Sequence, residues 1–248
     1  MASLAAAIAY VVWDRGNVAR QKDLLQKDIQ TQRETWDTRF SELRTEAQYI
    51  IDRLHEIFRT LRDKLVELQS DPPAPDENYD AGFMTNILDS FAAVFSFITG
   101  QECAASLKLF SAPDCTIRTM AMDSRSARTR STKEREREYS LHGNTAFAKI
   151  LEEEQAYFFS NDLYAMADAG LYHDENGNWR QLYRSVFAWP LQFWQERTQT
   201  YEVFGFLCLD SSAAEAFEED IDRNVGSCVA EMIYAYFQMV GQLSDQQS

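Results

Sequence analysis

RSVFAWPLQFWQERTQTYEVFGFLCLD, Arg184–Asp210, decides how this chain folds. It reads as two long strands joined by a polar turn, QERTQT, at Gln195–Thr200. Side chains alternate sides along a strand. Val203, Gly205, Leu207 and Leu209 are therefore expected on one face of the second strand, and Phe204, Phe206 and Cys208 on the other. Both faces are apolar. A strand apolar on both faces is covered on both, which puts this hairpin at the centre of a sheet with helices packed on it.

Working outward towards the C-terminus, a helix is expected from about Phe217 to Leu243, with Phe217, Ile221, Val225, Val229, Met232, Tyr236 and Val240 on one stripe. Upstream of the hairpin lies the long segment Leu163–Tyr183, with a DENGN turn at Asp174–Asn178. Before it come a short strand, Tyr157–Phe159, running into Ser160-Asn161-Asp162, and a helix, Thr145–Glu154, that Asn144 is placed to cap. Two strands, Ala104–Phe110 and Cys115–Met122, are joined by the turn SAPD. They are preceded by a helix over 81–99 that Gly100 stops. Between these strands and the capped helix runs Asp123–His142, DSRSARTRSTKEREREYSLH, with six basic residues: Arg125, Arg128, Arg130, Lys133, Arg135 and Arg137.

The first 80 residues read differently. Ser70–Asp80, SDPPAPDENYD, cannot continue a helix because Pro72, Pro73 and Pro75 remove donors and clash with the preceding turn. Residues 71–80 form a linker. From Asp14 to Gln69 there is no proline, and Trp36, Phe40, Leu43, Ala47, Ile50, Leu54, Ile57 and Leu61 recur four and three apart, with Leu68 resuming the series and Lys64 interrupting it. This is a heptad repeat, the pattern of helices that supercoil. Over 14–70 it predicts a coiled coil about 80 Å long that pairs two copies in parallel, a homodimer. The alternative is an amphipathic helix lying on its own domain. Residues 1–13 are uncharged and mostly apolar, and Arg15, Arg20, Lys22 and Lys27 follow at once. Basic residues after an apolar stretch fit a cytoplasmic exit from a membrane. Two readings stay open here: the end of a transmembrane helix tethering a cytoplasmic domain, or a self-associating helical tip.

Charge and cysteine usage narrow the function classes. The net charge is −15, and residues 14–70 carry eleven basic and eleven acidic side chains, so the excess falls on the residues after them. That field argues against non-specific nucleic-acid binding. Cys103, Cys115, Cys208 and Cys228 form no CxxC, and His55, His142 and His173 stand far apart, so neither a metal site nor a Cys/His nucleophile pair can be assembled from the spacing. No Gly-rich phosphate loop, Gly-x-Ser-x-Gly elbow or His-Glu-x-x-His is present. A non-enzymatic protein is expected.

The order of elements over 81–248 is helix, two strands, loop, short helix, strand, long loop, two strands, helix. With NTAFAKILEEEQAYFFSND, RSVFAWPL, FGFLCLDS and Phe217-Glu-Glu-Asp-Ile, this part of the chain resembles a GAF domain, the small sensory fold related to PAS. The resemblance implies an α+β fold, an antiparallel sheet flanked by helices. It implies a ligand-binding or dimerising regulator, with a pocket between sheet and loops walled by Asp123–Gly143 and Leu163–Tyr183. GAF domains hold cyclic nucleotides, haem, bilins or small metabolites. The Asn-Lys-Phe-Asp-Glu signature of the cyclic-nucleotide binders is missing, no cysteine stands in a bilin-attachment context, and neither His142 nor His173 suits haem. No cofactor is named. A small molecule or nucleotide remains the expected ligand, and a ligand-free interaction module the alternative.

Candidate ligand residues follow from charge and position. Arg128 and Arg130 offer planar donor forks suited to phosphate. Glu134, Glu136 and Glu138 interleave with the basic residues, which equally describes a solvated face. Asn161, Asp162, Tyr183 and Ser185 are expected near the same rim, with Asn161 and Asp162 either touching ligand or satisfying backbone donors in a turn.

Overall fold

The computed structural model of the chain describes residues 2–70, 81–130, 138–196 and 199–247, with side chains from Trp13 to Val240. Its helices are α1 (Ala2–Ser70), α2 (Ala81–Thr99), α3 (Ser124–Thr129), α4 (Thr145–Glu152), α5 (Leu163–Asp168), α6 (Trp179–Leu182) and α7 (Glu219–Gln247). Its strands are β1 (Cys103–Ser111), β2 (Thr116–Met122), β3 (Glu138–Ser140), β4 (Phe158–Ser160), β5 (Ser185–Gln195) and β6 (Thr200–Ser211). They form one antiparallel sheet in the order β3-β2-β1-β6-β5-β4. The β5–β6 hairpin lies inside the sheet but not squarely at its centre: β6 pairs with β1 in the middle, and β5 is bordered by the three-residue edge strand β4.

Alternation along these strands separates two cores. Leu107 and Leu109 of β1 and Leu207 and Leu209 of β6 face α2 and α7, where Phe91, Phe95, Trp189, Val229, Ile233 and Phe237 are buried. Phe206 and Cys208, with Val186 and Ala188 of β5, face the second core, built with Phe147, Leu163, Tyr172 and Trp179. The expected facing of the hairpin fails at one place. A bulge shifts the register between Leu191 and Gln192, so Leu191 pairs with Gly205 and Gln192 with Val203, leaving Phe204 as the extra residue. An extra residue reverses the facing beyond it. Phe204 therefore packs on Phe237 in the first core, and Val203 joins the second. β1 lies close behind the bulge: a Cβ on Gly205 would stand 2.2 Å from the Lys108 carbonyl oxygen.

The packing divides the heptad run. The chain separates into two compact units, Met1–Tyr49 and Ile50–Ser248. In the second, Ile57, Leu61 and Leu68 are buried in the first core, and Ile50, Leu54, Phe58 and Leu65 pack against it. Lys64, the interruption, lays its ammonium over the Phe83 ring at 6.0 Å and pairs with Glu67 at 3.0 Å. From Ile50 on, the helix thus follows the amphipathic alternative and covers its own domain. In the first unit, Trp36, Phe40 and Leu43 are exposed, at 73%, 70% and 48%. The side chains of the apolar segment before Trp13, the linker 71–80 and the basic residues Lys133, Arg135 and Arg137 lie outside the described residues. Among the described helices α2 alone is long and apolar enough to cross a membrane, but it is a core helix, with Met84, Leu88, Phe91 and Phe95 buried.

Candidate functional site

On the second-core side of the sheet, β1 and β6 bring a polar set together. Ser106 pairs with Cys208 and Lys108 with Phe206 across the two strands, and Asp210 follows on the same side. Ser106, Lys108, Cys208 and Asp210 line a cavity of about 60 Å³ with Arg130, Tyr172, Asp174 and Tyr183. One water needs about 10–15 Å³ on this scale, so the space suits a few waters or a small polar molecule.

The wall opposite the strands is pinned by α4. Asn144 caps that helix, accepting from the Ala146 N–H at 2.9 Å, and its amide donates to Asp174 Oδ2 at 2.9 Å. Backbone bonds Thr145 N–H to His173 O and Glu175 N–H to Gly143 O hold the turn beside it. Asp174 Oδ2 also accepts from the hydroxyls of Tyr172, at 3.2 Å, and Tyr183, while Oδ1 accepts from the Asn176 N–H at 2.8 Å. Four neutral donors satisfy this carboxylate. Burial and the carboxylate beside them push both tyrosines well above their usual range, so both remain protonated donors.

The charges on the strand side are less well matched. Arg130, at the end of α3, reaches Asp210 through one contact of 3.4 Å, with both side chains mostly buried. Burial pushes Asp210 above the ordinary carboxylate value although Arg130 opposes the shift. For Arg130 burial works against the charge, and Asp210 with Tyr183 outweighs it. Lys108 donates to Thr119 Oγ1 at 3.1 Å and stands 5.5 Å from the Tyr139 ring centre, with no carboxylate within ion-pair distance among the described residues. Burial holds its ammonium below the usual lysine value. Burial also pushes the Cys208 thiol up to about 12. Among the described residues no group of three His, Cys, Asp or Glu side chains comes together to hold a metal ion.

No family model matches the chain, and no curated protein matches it. Among solved structures, free methionine-R-sulfoxide reductase from Neisseria meningitidis superposes with a TM-score of 0.50 at 15% identity, over 80% of this chain and 93% of that one. The fold is GAF-like. Also similar are the phycoerythrobilin-bound GAF domain of a cyanobacterial phytochrome (TM-score 0.49, 12% identity, 76% of this chain and 96% of that one) and the GAF domain of an Acinetobacter phosphoenolpyruvate-protein phosphotransferase (0.48, 11%, 77% and 92%). Identities this low establish the fold and leave the chemistry to the residues.

Within the GAF-like domain the expected site residues separate into two groups. Arg130 and Tyr183 line the cavity, which draws on both Asp123–Gly143 and Leu163–Tyr183. Arg128, on α3, is exposed. Asn161, Asp162 and Ser185 bind backbone or a neighbouring side chain. Asn161 clamps Phe217, donating to its carbonyl at 2.8 Å and accepting from its N–H at 3.1 Å. Ser185, fully buried, has its single hydroxyl proton to share between the Asn161 and Ala213 carbonyls, at 2.9 and 2.7 Å. Asp162 caps α5 and receives both arms of the Arg184 guanidinium, at 3.0 and 2.6 Å.

The Asp162–Arg184 pair carries a pH signature. The Arg184 guanidinium lowers Asp162 from 3.8 to about 2. A depressed carboxylate contributes stability that is present above its unfolded value and is lost as pH falls through the folded one. Asp162→Asn should therefore flatten the decline of urea-unfolding stability between about pH 4 and pH 2. A slope unchanged in that window would show that the pair contributes nothing there.

Lys108, Tyr172 and Asp174 carry little in their sequence context that marks them as cavity residues. Lys108 sits in a strand at the position where a charged residue normally marks a solvated face, and Asp174 opens a run that reads as a plain turn. The available signal was spacing: Ser106 and Lys108 share one face of β1, as Phe206, Cys208 and Asp210 share one face of β6.

Proposed function

We propose that this protein is a non-enzymatic sensor: its GAF-like domain binds a small ligand in the Arg130-lined cavity and passes the bound state to α1. The observation that carries this is the two-sidedness of β1 and β6. The strands that present Lys108, Cys208 and Asp210 to the cavity present Leu107, Leu207 and Leu209 to the core that buries Ile57 and Leu61. A ligand that favours one setting of these strands biases the packing of the helix by its differential affinity for the two states. The exposed stripe Trp36, Phe40 and Leu43 keeps heptad spacing and serves to pair two copies. In this reading residues 1–13 contact a membrane, with the basic residues after them on its cytoplasmic side.

A non-enzymatic role is supported by the chemistry of the cavity. Its one thiol among the described residues, Cys208, is held protonated by burial, and no histidine lines the space to take its proton. Hydrogen exchange tests the signalling step. A ligand that raises the melting temperature in a small-molecule panel should slow amide exchange around the cavity and also alter exchange over Ile50–Ser70. Protection confined to the cavity would sink signalling through the helix, and the same samples should sediment as dimers.

A further inference from the structure

We infer that the cavity receives a small organic carboxylate, with Lys108 and Arg130 as its anchoring cations. The inference rests on the proposal that the cavity is a ligand site, and it names the ligand's chemistry. Size sets the first limit: about 60 Å³ admits a molecule of a few non-hydrogen atoms, and a nucleotide is several times larger.

Hydrogen-bond capacity sets the second. Formally the two cations of the cavity balance Asp174 and Asp210, but the four groups are not equally satisfied. Asp174 accepts from four neutral donors and needs no cation. Lys108 has three donors, and its partners among the described residues are one hydroxyl and one aromatic ring. Arg130 has five donors, and its side chain meets Asp210 in a single long contact rather than a fork. The unmet demand is for acceptors beside positive charge. A carboxylate supplies two oxygens and one negative charge. A phosphate carrying two charges would crowd a space that already holds two carboxylates, where like charges destabilise one another. Ala146, Phe147, Val186 and Ala188 supply an apolar wall for a short carbon chain.

The test is isothermal titration of the full chain with acetate, propionate and lactate, with acetamide and inorganic phosphate as comparators. The expected result is binding of at least one carboxylate, no measurable binding of acetamide, and phosphate weaker than that carboxylate. Lys108→Met should weaken carboxylate binding at least tenfold while circular dichroism shows the fold intact. Should Lys108→Met fail to fold, Lys108→Gln serves for the same measurement. Measurable acetamide binding, phosphate binding at least as tight as the carboxylate's, carboxylate binding unchanged by removal of the Lys108 charge, or no carboxylate binding at all would each overturn the inference. A cationic or neutral compound that occupies the cavity and alters Ile50–Ser70 would overturn it and leave the sensor proposal standing.

Discussion

A chain that starts at Ile50 is expected to unfold at nearly the urea concentration of the full protein, whereas one that starts at Ala81 is expected to lose most or all of its stability. The heptads from Ile50 on are part of the domain. Ile57, Leu61 and Leu68 are 1%, 0% and 5% exposed, in the same core as Phe91, Leu207 and Val229. Truncating one such buried aliphatic side chain costs about 2–5 kcal/mol. A whole domain has only about 5–15 kcal/mol in hand. Removing three together, with Leu54, Phe58 and Leu65 at their margins, reaches that total. Among the described residues that core draws its α1 side chains from Ile50 onward, so loss of 1–49 should leave the unfolding transition almost where it was. Urea titrations of the two shortened chains, followed by tryptophan fluorescence and circular dichroism, decide the matter. Equal midpoints would mean that Ile50–Ser70 does not stabilise the fold. Leu61→Ala in the full chain isolates one contact, and should cost about 2–5 kcal/mol by itself.

Gly226→Ala should destabilise the protein by about 1–3 kcal/mol although it improves the local helix. Alanine in a helix interior is better than glycine by about 1 kcal/mol, so an indifferent site would be stabilised. This site is not indifferent. A Cβ on Gly226 would stand 2.1 Å from Cζ2 of Trp189, well inside contact distance. Trp189 has little room to give way. It is 1% exposed, lies flat on Phe187 with ring centres 4.7 Å apart, meets the Phe91 ring edge-on, and donates its indole N–H to the Arg223 carbonyl at 3.1 Å. The added methyl must displace either the indole or α7. Equilibrium unfolding of Gly226→Ala beside the parent measures the sum, and a gain in stability would show that the indole moves freely. Gly226→Val, larger and β-branched, should cost more than Gly226→Ala.

The fold was largely legible because its signals are local and repeated. The hairpin Arg184–Asp210 announces a doubly covered pair of inner strands, and the stripe from Phe217 to Val240 announces α7. What stayed hidden depended on contacts between distant segments. The bulge at Phe204 leaves no mark in a run of alternating apolar residues, because every side chain there is acceptable on either face. A heptad seam looks the same whether another helix or the chain's own sheet covers it, so Leu61 and Phe40 are alike in sequence and opposite in burial. Lys64, laid over the Phe83 ring, interrupts the seam between Leu61 and Leu68, both buried, and so does not mark the point after Leu43 where burial begins. The cavity was half visible. Arg130 and Tyr183 stand out as polar residues near expected loops, whereas Lys108 reads as an ordinary surface lysine until β6 and the Tyr139 ring are placed around it.

The bulge between β5 and β6 also sets a rule of parity for the inner strands. Along β1 and the far half of β6, even-numbered residues (Ser106, Lys108, Phe206, Cys208, Asp210) belong to the cavity side and odd-numbered ones (Leu107, Leu109, Leu207, Leu209) to the helix side. Before Gly205 the parity inverts, with Val203 on the cavity side and Phe204 on the helix side. Inserting or deleting one residue on either side of that point would exchange the two faces, setting leucines in the cavity and a lysine or an aspartate among the phenylalanines. The spacing of this hairpin is therefore as much a part of the site as the residues that line it.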